Sequence, residues 1–225
     1  MKLLIVSATR LEIEPLISNF IFIEQKNKNL YSYRYRDFEI DVLIAGIGMV
    51  ATAFCMGKTL QATCYDVAIN AGISGSFDYN LPLGTVLNVT HDRFPEMGAE
   101  NGEYFLSLVD LQLLEEDSFP FQNLELVNSS IFQSPVLNEL PQANGITVNT
   151  IHGNEENIHK IREQYNPVSE SMEGAAFMYA CLLSGIRFIQ IRAISNYVEK
   201  RNRENWNIGL AIKNLNEVLW KVLDE

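Results

Sequence analysis

The sequence predicts an α/β fold in which one central sheet, mixed but mostly parallel, is flanked by helices. Short apolar runs alternate along the 225-residue chain with segments of helical periodicity, which is typical of strands covered on both faces by helices. Hydrophobic residues make up 47% of the chain, enough for one full core. Because no internal repeat or linker interrupts the pattern, we expect a single domain over residues 1–225.

Six apolar runs are predicted as strands because each is short and bounded by polar or glycine-containing segments: 2–7, 40–45, 66–70, 85–90, 147–151 and 187–193. Four segments with helical spacing are predicted as helices: 12–19, 49–62, 171–185 and 206–223. Residues 94–144 contain four prolines and are the least regular part of the chain. We expect them to form an insertion or a lid.

Composition excludes several classes of function. The formal net charge of -11 disfavours binding to nucleic acid, whose phosphates an acidic surface repels. No apolar run reaches the length of a membrane span, and the first residues make a poor signal peptide, so we expect a cytoplasmic protein. The three cysteines and three histidines have no spacing typical of a metal site, and we expect no metal and no cofactor.

Ligands of α/β sheets bind at the carboxyl ends of the strands, where four stretches of this sequence fall. They are residues 7–12, AGIGMV at 45–50, NAGISGS at 70–76 and RAISN at 192–196, with SMEGAA at 171–176 opening the helix before the last of them. The glycines around Ile47 and at Gly72 allow a close backbone approach to a ligand. Neither glycine stretch matches a dinucleotide-binding or P-loop pattern, so by themselves they are better explained as tight turns between strand and helix.

Each of two carboxylates in these stretches has two possible roles. Glu173 lies among small and apolar residues, and is either an exposed acid in the first turn of a helix or a semi-buried group that accepts hydrogen bonds from two adjacent hydroxyls. Glu12 is either a helix N-terminal acid, which its position favours, or a general base at a strand tip.

Together, the first strand with Glu12, AGIGMVATA, NAGISGSF, SMEGAA and RAISN resemble the purine nucleoside phosphorylase and nucleosidase superfamily over nearly the whole chain. Within it, DRFPEMGAENGEYFLSL and ISNYVEKRNRENWNIGLAI are most similar to the futalosine hydrolase branch. The resemblance implies a nucleoside phosphorylase-like fold and a small-molecule nucleoside as substrate. It also implies a homodimer or higher homo-oligomer, formed through the face of 49–62 and the aromatics Phe94, Tyr104 and Phe105.

The resemblance also implies roles for individual residues. Glu12 would activate the attacking water, and Glu173 would hold the ribose 2′- and 3′-hydroxyls. Met172 would pack on the ribose and Arg192 would lie near the water. Ser195 would support Asn196, and the turns containing Ile47 and Gly72 would contact the substrate.

Asn196 stands where the adenine-specific relatives carry an aspartate. Hypoxanthine presents two acceptors, O6 and N7, which an amide NH2 can satisfy and a carboxylate would repel. This favours hydrolysis of a hypoxanthine nucleoside such as futalosine. An inosine-like or methylthioadenosine-like nucleosidase or phosphorylase, and a non-catalytic nucleoside-binding protein, stay open. Asn70 stands where phosphorylases carry a phosphate-binding arginine, although Arg10 or Arg93 could supply one.

Overall fold

The computed structural model describes residues 1–130 and 132–225, and it has the predicted α/β fold with a mixed sheet flanked by helices. The strands are β1 (Lys2–Ser7), β2 (Ile21–Asn27), β3 (Leu30–Tyr35), β4 (Phe38–Ile44), β5 (Val67–Ser76), β6 (Val86–Arg93), β7 (Gly98–Asn101), β8 (Tyr104–Ser107), β9 (Leu126–Val127), β10 (Gln142–Thr147), β11 (Ser169–Ser171) and β12 (Arg187–Tyr197). The helices are α1 (Arg10–Ile17), α2 (Met49–Ala62), α3 (Pro135–Glu139), α4 (Glu155–Tyr165), α5 (Gly174–Leu183) and α6 (Ile208–Asp224).

The centre of the sheet is parallel, with strands in the order β12, β5, β1 and β4. Antiparallel pairs add β3 and β2 beyond β4, and join β6 to β12. Strand β11 pairs with β10 on one side and with β5 on the other, so β5, β12, β6, β10 and β11 close into a ring. Because the four central strands are parallel, their carboxyl ends meet at one edge of the sheet.

Helices cover the two faces of the sheet and bury an apolar core on each side. On one face α1 contacts α6, where the buried Asn216 accepts a hydrogen bond from the backbone N–H of Leu16 at 3.0 Å and donates to the carbonyl of Glu12 at 2.8 Å. On the other face α2 contacts α5. Among the described residues, no helix combines the length and the apolar character needed to cross a membrane.

The predicted strand at 147–151 is wrong, because β10 ends at Thr147 and the chain then leaves the sheet. Strand β10 itself was not predicted over its full length, because its sequence QANGIT is largely polar. Its Gly145 avoids crowding, since a Cβ there would lie 3.1 Å from Ser169 Oγ and 3.2 Å from Val89 Cγ1. A glycine inside a strand commonly marks such a close approach.

Several elements were not predicted, among them helix α4 and strands β2 and β3, and some predicted ends are shifted. Strand β12 continues to Tyr197 through a bulge between Ile194 and Asn196, beyond the predicted end at 193. The helix predicted from 171 begins at Gly174, because Ser171 still belongs to β11. Residues 94–144 hold the hairpin of β7 and β8, strand β9, helix α3 and the start of β10.

Candidate active site

Glu12 is a buried carboxylate held by residues from two strands. Its Oε2 accepts hydrogen bonds from Ser7 Oγ at 3.2 Å, Thr9 N at 2.9 Å and Thr9 Oγ1 at 2.8 Å, and its Oε1 accepts from Ile73 N at 3.2 Å. The residue is 7% exposed. Thr9 immediately precedes α1, so Glu12 also serves the start of that helix. An acid that only capped a helix would face solvent, whereas this one is turned into the sheet edge.

Arg192 lies on β12 directly opposite Gly72 of β5 and is only 1% exposed. Its Nη1 is 3.5 Å from Glu173 Oε2, and its Nη2 donates to Asn70 Oδ1. A side chain at position 72 would overlap Arg192 Nη1 and lie 3.1 Å from Glu12 Oε1. The glycine therefore leaves the space in which the guanidinium and the Glu12 carboxylate approach each other.

Glu173 joins the glycine turn after β4 to this cluster. Its Oε1 accepts a hydrogen bond of 3.0 Å from the backbone N–H of Gly48, the residue that precedes α2. Gly46 and Gly48 adopt φ values of 92° and 96°, which favour glycine. Ile47 between them is 65% exposed at the tip of the turn. The backbone of this turn contacts Glu173, whereas the Ile47 side chain points away from the cluster.

The start of α5, which positions Glu173, rests on a buried polar network. Thr147 Oγ1 accepts from Ala175 N at 2.7 Å and donates to Asp92 Oδ1 at 3.0 Å, and Gln190 Nε2 donates to Asp92 Oδ2 at 2.8 Å. A Cβ at Gly174 would overlap both Asp92 and Gln190. Burial raises the pKa of Asp92 to about 6 despite those hydrogen bonds and the positive charge of Arg192.

Asn196 lies on β12 opposite Gly75, just after the bulge. Its Oδ1 accepts from Ser195 Oγ at 2.9 Å and its Nδ2 donates to the carbonyl of Tyr197 at 3.0 Å. Ser195 Oγ is also 3.2 Å from the carbonyl of Ser74. The carbonyl of Tyr197 can only accept, so it fixes Nδ2 as the amide atom that faces it. The second hydrogen of the Asn196 amide stays available to a ligand. A Cβ at Gly75 would lie 3.3 Å from Nδ2.

The structure thus brings Glu12, Gly72, Glu173 and Arg192 together. Ser195 and Asn196 lie three and four residues beyond Arg192 on β12. Met172 is half-buried next to Glu173. The sequence analysis gave no role to the buried Asp92, to Gln190 or to a contact between His152 and Glu170. Gly174 of SMEGAA is the one sign in the sequence of Asp92 and Gln190, because the absence of a side chain at this position makes room for both.

An apolar groove of about 420 Å³ opens beside the cluster. Met49, which follows Gly48, and Ala176, in the first turn of α5, form part of its wall, and Phe94, Phe121 and Tyr179 supply aromatic rings. Within residues 1–130 and 132–225, no three His, Cys, Asp or Glu side chains are arranged to hold a metal ion.

Known proteins are similar to this chain in sequence and in fold. The sequence model of the phosphorylase superfamily matches residues 138–224. Futalosine hydrolase of Streptomyces coelicolor is 27% identical over 194 residues, which are 81% of this chain and 77% of that protein. A 5′-methylthioadenosine/S-adenosylhomocysteine nucleosidase of Glaesserella parasuis is 23% identical over 238 residues, covering 100% and 99%. The crystal structure of futalosine hydrolase of Helicobacter pylori superposes with a TM-score of 0.83 at 18% identity, covering 100% of this chain and 97% of that one. The chain therefore has the fold of these nucleosidases, and residues 138–224 are similar in sequence to the phosphorylase superfamily.

Proposed function

We propose that this chain is a nucleosidase that hydrolyses the N-glycosidic bond of futalosine, releasing hypoxanthine and dehypoxanthine futalosine in menaquinone biosynthesis. The observation that carries the proposal is the amide of Asn196, oriented by the carbonyl of Tyr197. It lies on the same strand as Arg192, which contacts Glu173. The relatives support the coarser part of the proposal, because their names describe nucleosidases. The hypoxanthine base is inferred from Asn196.

At the base, Asn196 Nδ2 would donate its free hydrogen to O6 or N7 of hypoxanthine. A carboxylate in the same place would face those acceptors without a proton, at a cost of about 1–3 kcal/mol for each unmatched group. Discrimination through a missing or repelled hydrogen bond is strong in closed sites. The amide would also stabilise negative charge on the leaving purine as the glycosidic bond lengthens.

At the sugar, Glu12 would take a proton from the water that attacks C1′, using the face of Oε1 above Gly72. Glu173 would accept hydrogen bonds from the ribose hydroxyls through Oε2, whose contact with Arg192 is long at 3.5 Å. Two carboxylates and one guanidinium give this end of the site one net negative charge when all are ionised. That charge favours the positive, oxocarbenium-like sugar of the transition state.

Water is favoured over phosphate as the nucleophile by the partners of the nearby arginines. Arg192 contacts Glu173 and Asn70, Arg93 is paired with Glu125, and Arg10 is paired with Glu14 on an exposed helix face. A phosphate dianion would meet the carboxylates of Glu12 and Glu173, and the guanidinium groups of these arginines already have acidic partners. This pairing supports water as the nucleophile.

The apolar groove would receive the group attached at the 5′ end of the nucleoside. We also propose that the chain forms a homodimer or higher homo-oligomer through α2, where Val50 and Phe54 are 77% and 71% exposed. The hairpin residue Tyr104, 75% exposed, would contribute to the same contact. A cytoplasmic location is part of this proposal, since the substrate would be an intracellular metabolite.

A second candidate is an adenine-releasing nucleosidase, which the names of several relatives favour. Asn196 separates the two candidates, because a neutral amide is not an acid that can protonate adenine. Incubation with futalosine, inosine and methylthioadenosine, each with and without phosphate, tests both. We expect hypoxanthine from futalosine at full rate without phosphate. Release of adenine alone, or strict dependence on phosphate, would contradict the proposal.

A further inference from the structure

A buried carboxylate and an imidazole form a pair that the hydrolysis described so far does not use. Glu170 is 2% exposed, and its Oε1 accepts from the backbone N–H of His152 at 3.0 Å. Its Oε2 is hydrogen-bonded to His152 Nδ1. The His152 side chain retains 13% exposure, and within the described residues its Nε2 has no hydrogen-bond partner. When the imidazole is protonated, Nδ1 donates to the Glu170 carboxylate and Nε2 carries a second proton that it can donate.

The sheet places this pair across one glycine from Asn196. Glu170 of β11 is paired with Gly75 of β5, and Gly75 is paired on its other side with Asn196 of β12. Two strand spacings of roughly 4.8 Å put the Cα atoms of Glu170 and Asn196 about 10 Å apart. Residues paired directly across strands project their side chains to the same face of a sheet. Glu170 and Asn196 therefore flank a residue that has no side chain.

The hydrolysis described so far has no group near Asn196 that protonates the leaving purine. A purine leaves most readily when it is protonated as the C1′–N9 bond breaks, and general acids contribute about 10²–10⁴-fold. Asn196 can donate a hydrogen bond to the base but cannot transfer a proton. Glu12, whose Oε1 lies close to Gly72, would receive the proton of the attacking water.

We propose that His152, positioned by Glu170, is the general acid that protonates the leaving purine, an inference that rests on the proposed hydrolysis of a 6-oxopurine nucleoside. As the C1′–N9 bond breaks, its electron pair passes to the base, and the proton on His152 Nε2 transfers to the purine ring. Water adds to C1′ and gives its proton to Glu12. His152 is left neutral and takes up a proton from solvent before the next turnover.

The surroundings of His152 favour its protonated form. The hydrogen bond to Glu170 raises the pKa of His152 above its ordinary value, the negative charge of Glu96 adds to this, and burial opposes both. Glu96 reaches the same loop through the backbone N–H of Asn149 at 3.0 Å. Glu199 and Arg201 approach that loop through backbone atoms near Gly153. The alkaline limb of the pH profile, where His152 loses its proton, should therefore lie above pH 6.5.

The test compares His152→Gln with His159→Gln. His159 is an exposed residue of α4 whose contact is Glu163, so it is a matched control. We expect His152→Gln to lower kcat for futalosine by about 10²–10⁴-fold and to remove the fall of activity at high pH. The same variant should cleave p-nitrophenyl riboside at the wild-type rate, because that leaving group needs no proton. Equal losses on both substrates would overturn the assignment.

The variant Glu170→Gln tests whether Glu170 positions His152. It should shift the alkaline limb of the wild-type pH profile to lower pH, because the imidazole loses its ionic partner. An unmoved limb would contradict the role of Glu170.

A binding measurement keeps the inference testable without turnover. The chain has three histidines, so their imidazole NMR signals can be assigned with the two His→Gln variants. Saturating hypoxanthine should move the His152 signal and leave that of His159 in place, and an unmoved His152 signal would overturn the proposal. If wild type releases no hypoxanthine from any nucleoside but releases adenine, the proposed function falls and this assignment falls with it. If hypoxanthine is released and His152→Gln has the kcat of wild type, only the assignment of His152 as the general acid is wrong.

Discussion

Asp92 offers a quantitative test of the buried network beneath Glu173. Its pKa is about 6 in the folded protein against an ordinary value of 3.8. Between those two pH values the unfolded chain releases the proton while the folded protein retains it, so stability falls as pH rises through this window. At about 1.4 kcal/mol for each pH unit, the loss at neutral pH is about 3 kcal/mol. The ionised carboxylate is thus a cost to the fold above pH 6.

The variant Asp92→Asn removes this cost and keeps most of the hydrogen bonds. An asparagine oxygen can still accept from Thr147 Oγ1 and from the backbone N–H of Arg93. Its NH2 would face Gln190, whose Oε1 has no hydrogen-bond partner among the described residues and can meet it if the Gln190 amide flips. We expect a gain of about 2–3 kcal/mol at pH 8 and below about 1 kcal/mol at pH 4.

Urea unfolding of wild type and Asp92→Asn at pH 4 and pH 8, on either side of the sequence pI of about 4.8, measures this difference. At pH 8 the gain corresponds to a rise in Tm of roughly 4–12 °C for a chain of this size. Asp110→Asn is the control, because hydrogen bonds from Ser107 lower the pKa of Asp110 and its removal should instead destabilise at pH 8. Equal destabilisation by Asp92→Asn at both pH values would show that Asp92 is ionised in the fold and refute the reasoning.

The remaining predictions concern the site itself. Glu12→Gln should keep nucleoside binding and lower kcat by about 10²–10⁴-fold; near-normal turnover would leave Glu12 as a helix-start acid. Glu173→Gln should raise KM and slow turnover, and wild type should bind a 2′-deoxy analogue more weakly than the ribonucleoside in calorimetry; equal binding would remove Glu173 from the ribose. Asn196→Asp should lose hydrolysis of the hypoxanthine nucleoside, measured as free base, whereas an unchanged preference would make the amide a turn residue. Gly72→Ala should abolish activity because its Cβ overlaps Arg192, while Gly209→Ala, with nothing within 4 Å of the new methyl, should not, and equal activities would show that the close approach is dispensable.

The sequence predicted the central parallel strands and α2 because their patterns are local. Strand β1 and helix α2 have their predicted bounds, since an apolar run or a helical spacing is written in consecutive residues. Strand β2 escaped prediction because all seven of its residues are exposed. It is a strand only because β3 pairs with it, and pairing with a distant or neighbouring strand leaves little trace in composition.

The sequence also predicted only part of the candidate site. Glu12, Glu173, Arg192 and Asn196 were expected at the sheet edge from the ends of apolar runs and from the resemblance of the surrounding motifs. Local sequence left Glu12 as an ordinary helix-start acid, and its burial depends on Ile73, 61 residues away.

Only the tertiary structure showed that Gly72 gives room to Arg192, that Asp92 lies under Gly174, and that His152 and Glu170 lie across Gly75 from Asn196. The physical reason is that hydrogen bonds and close approaches join atoms from strands far apart in the chain, and their partners are fixed by strand order and register. A sequence pattern determines which residues reach the sheet edge, but the order of the strands decides which of them meet.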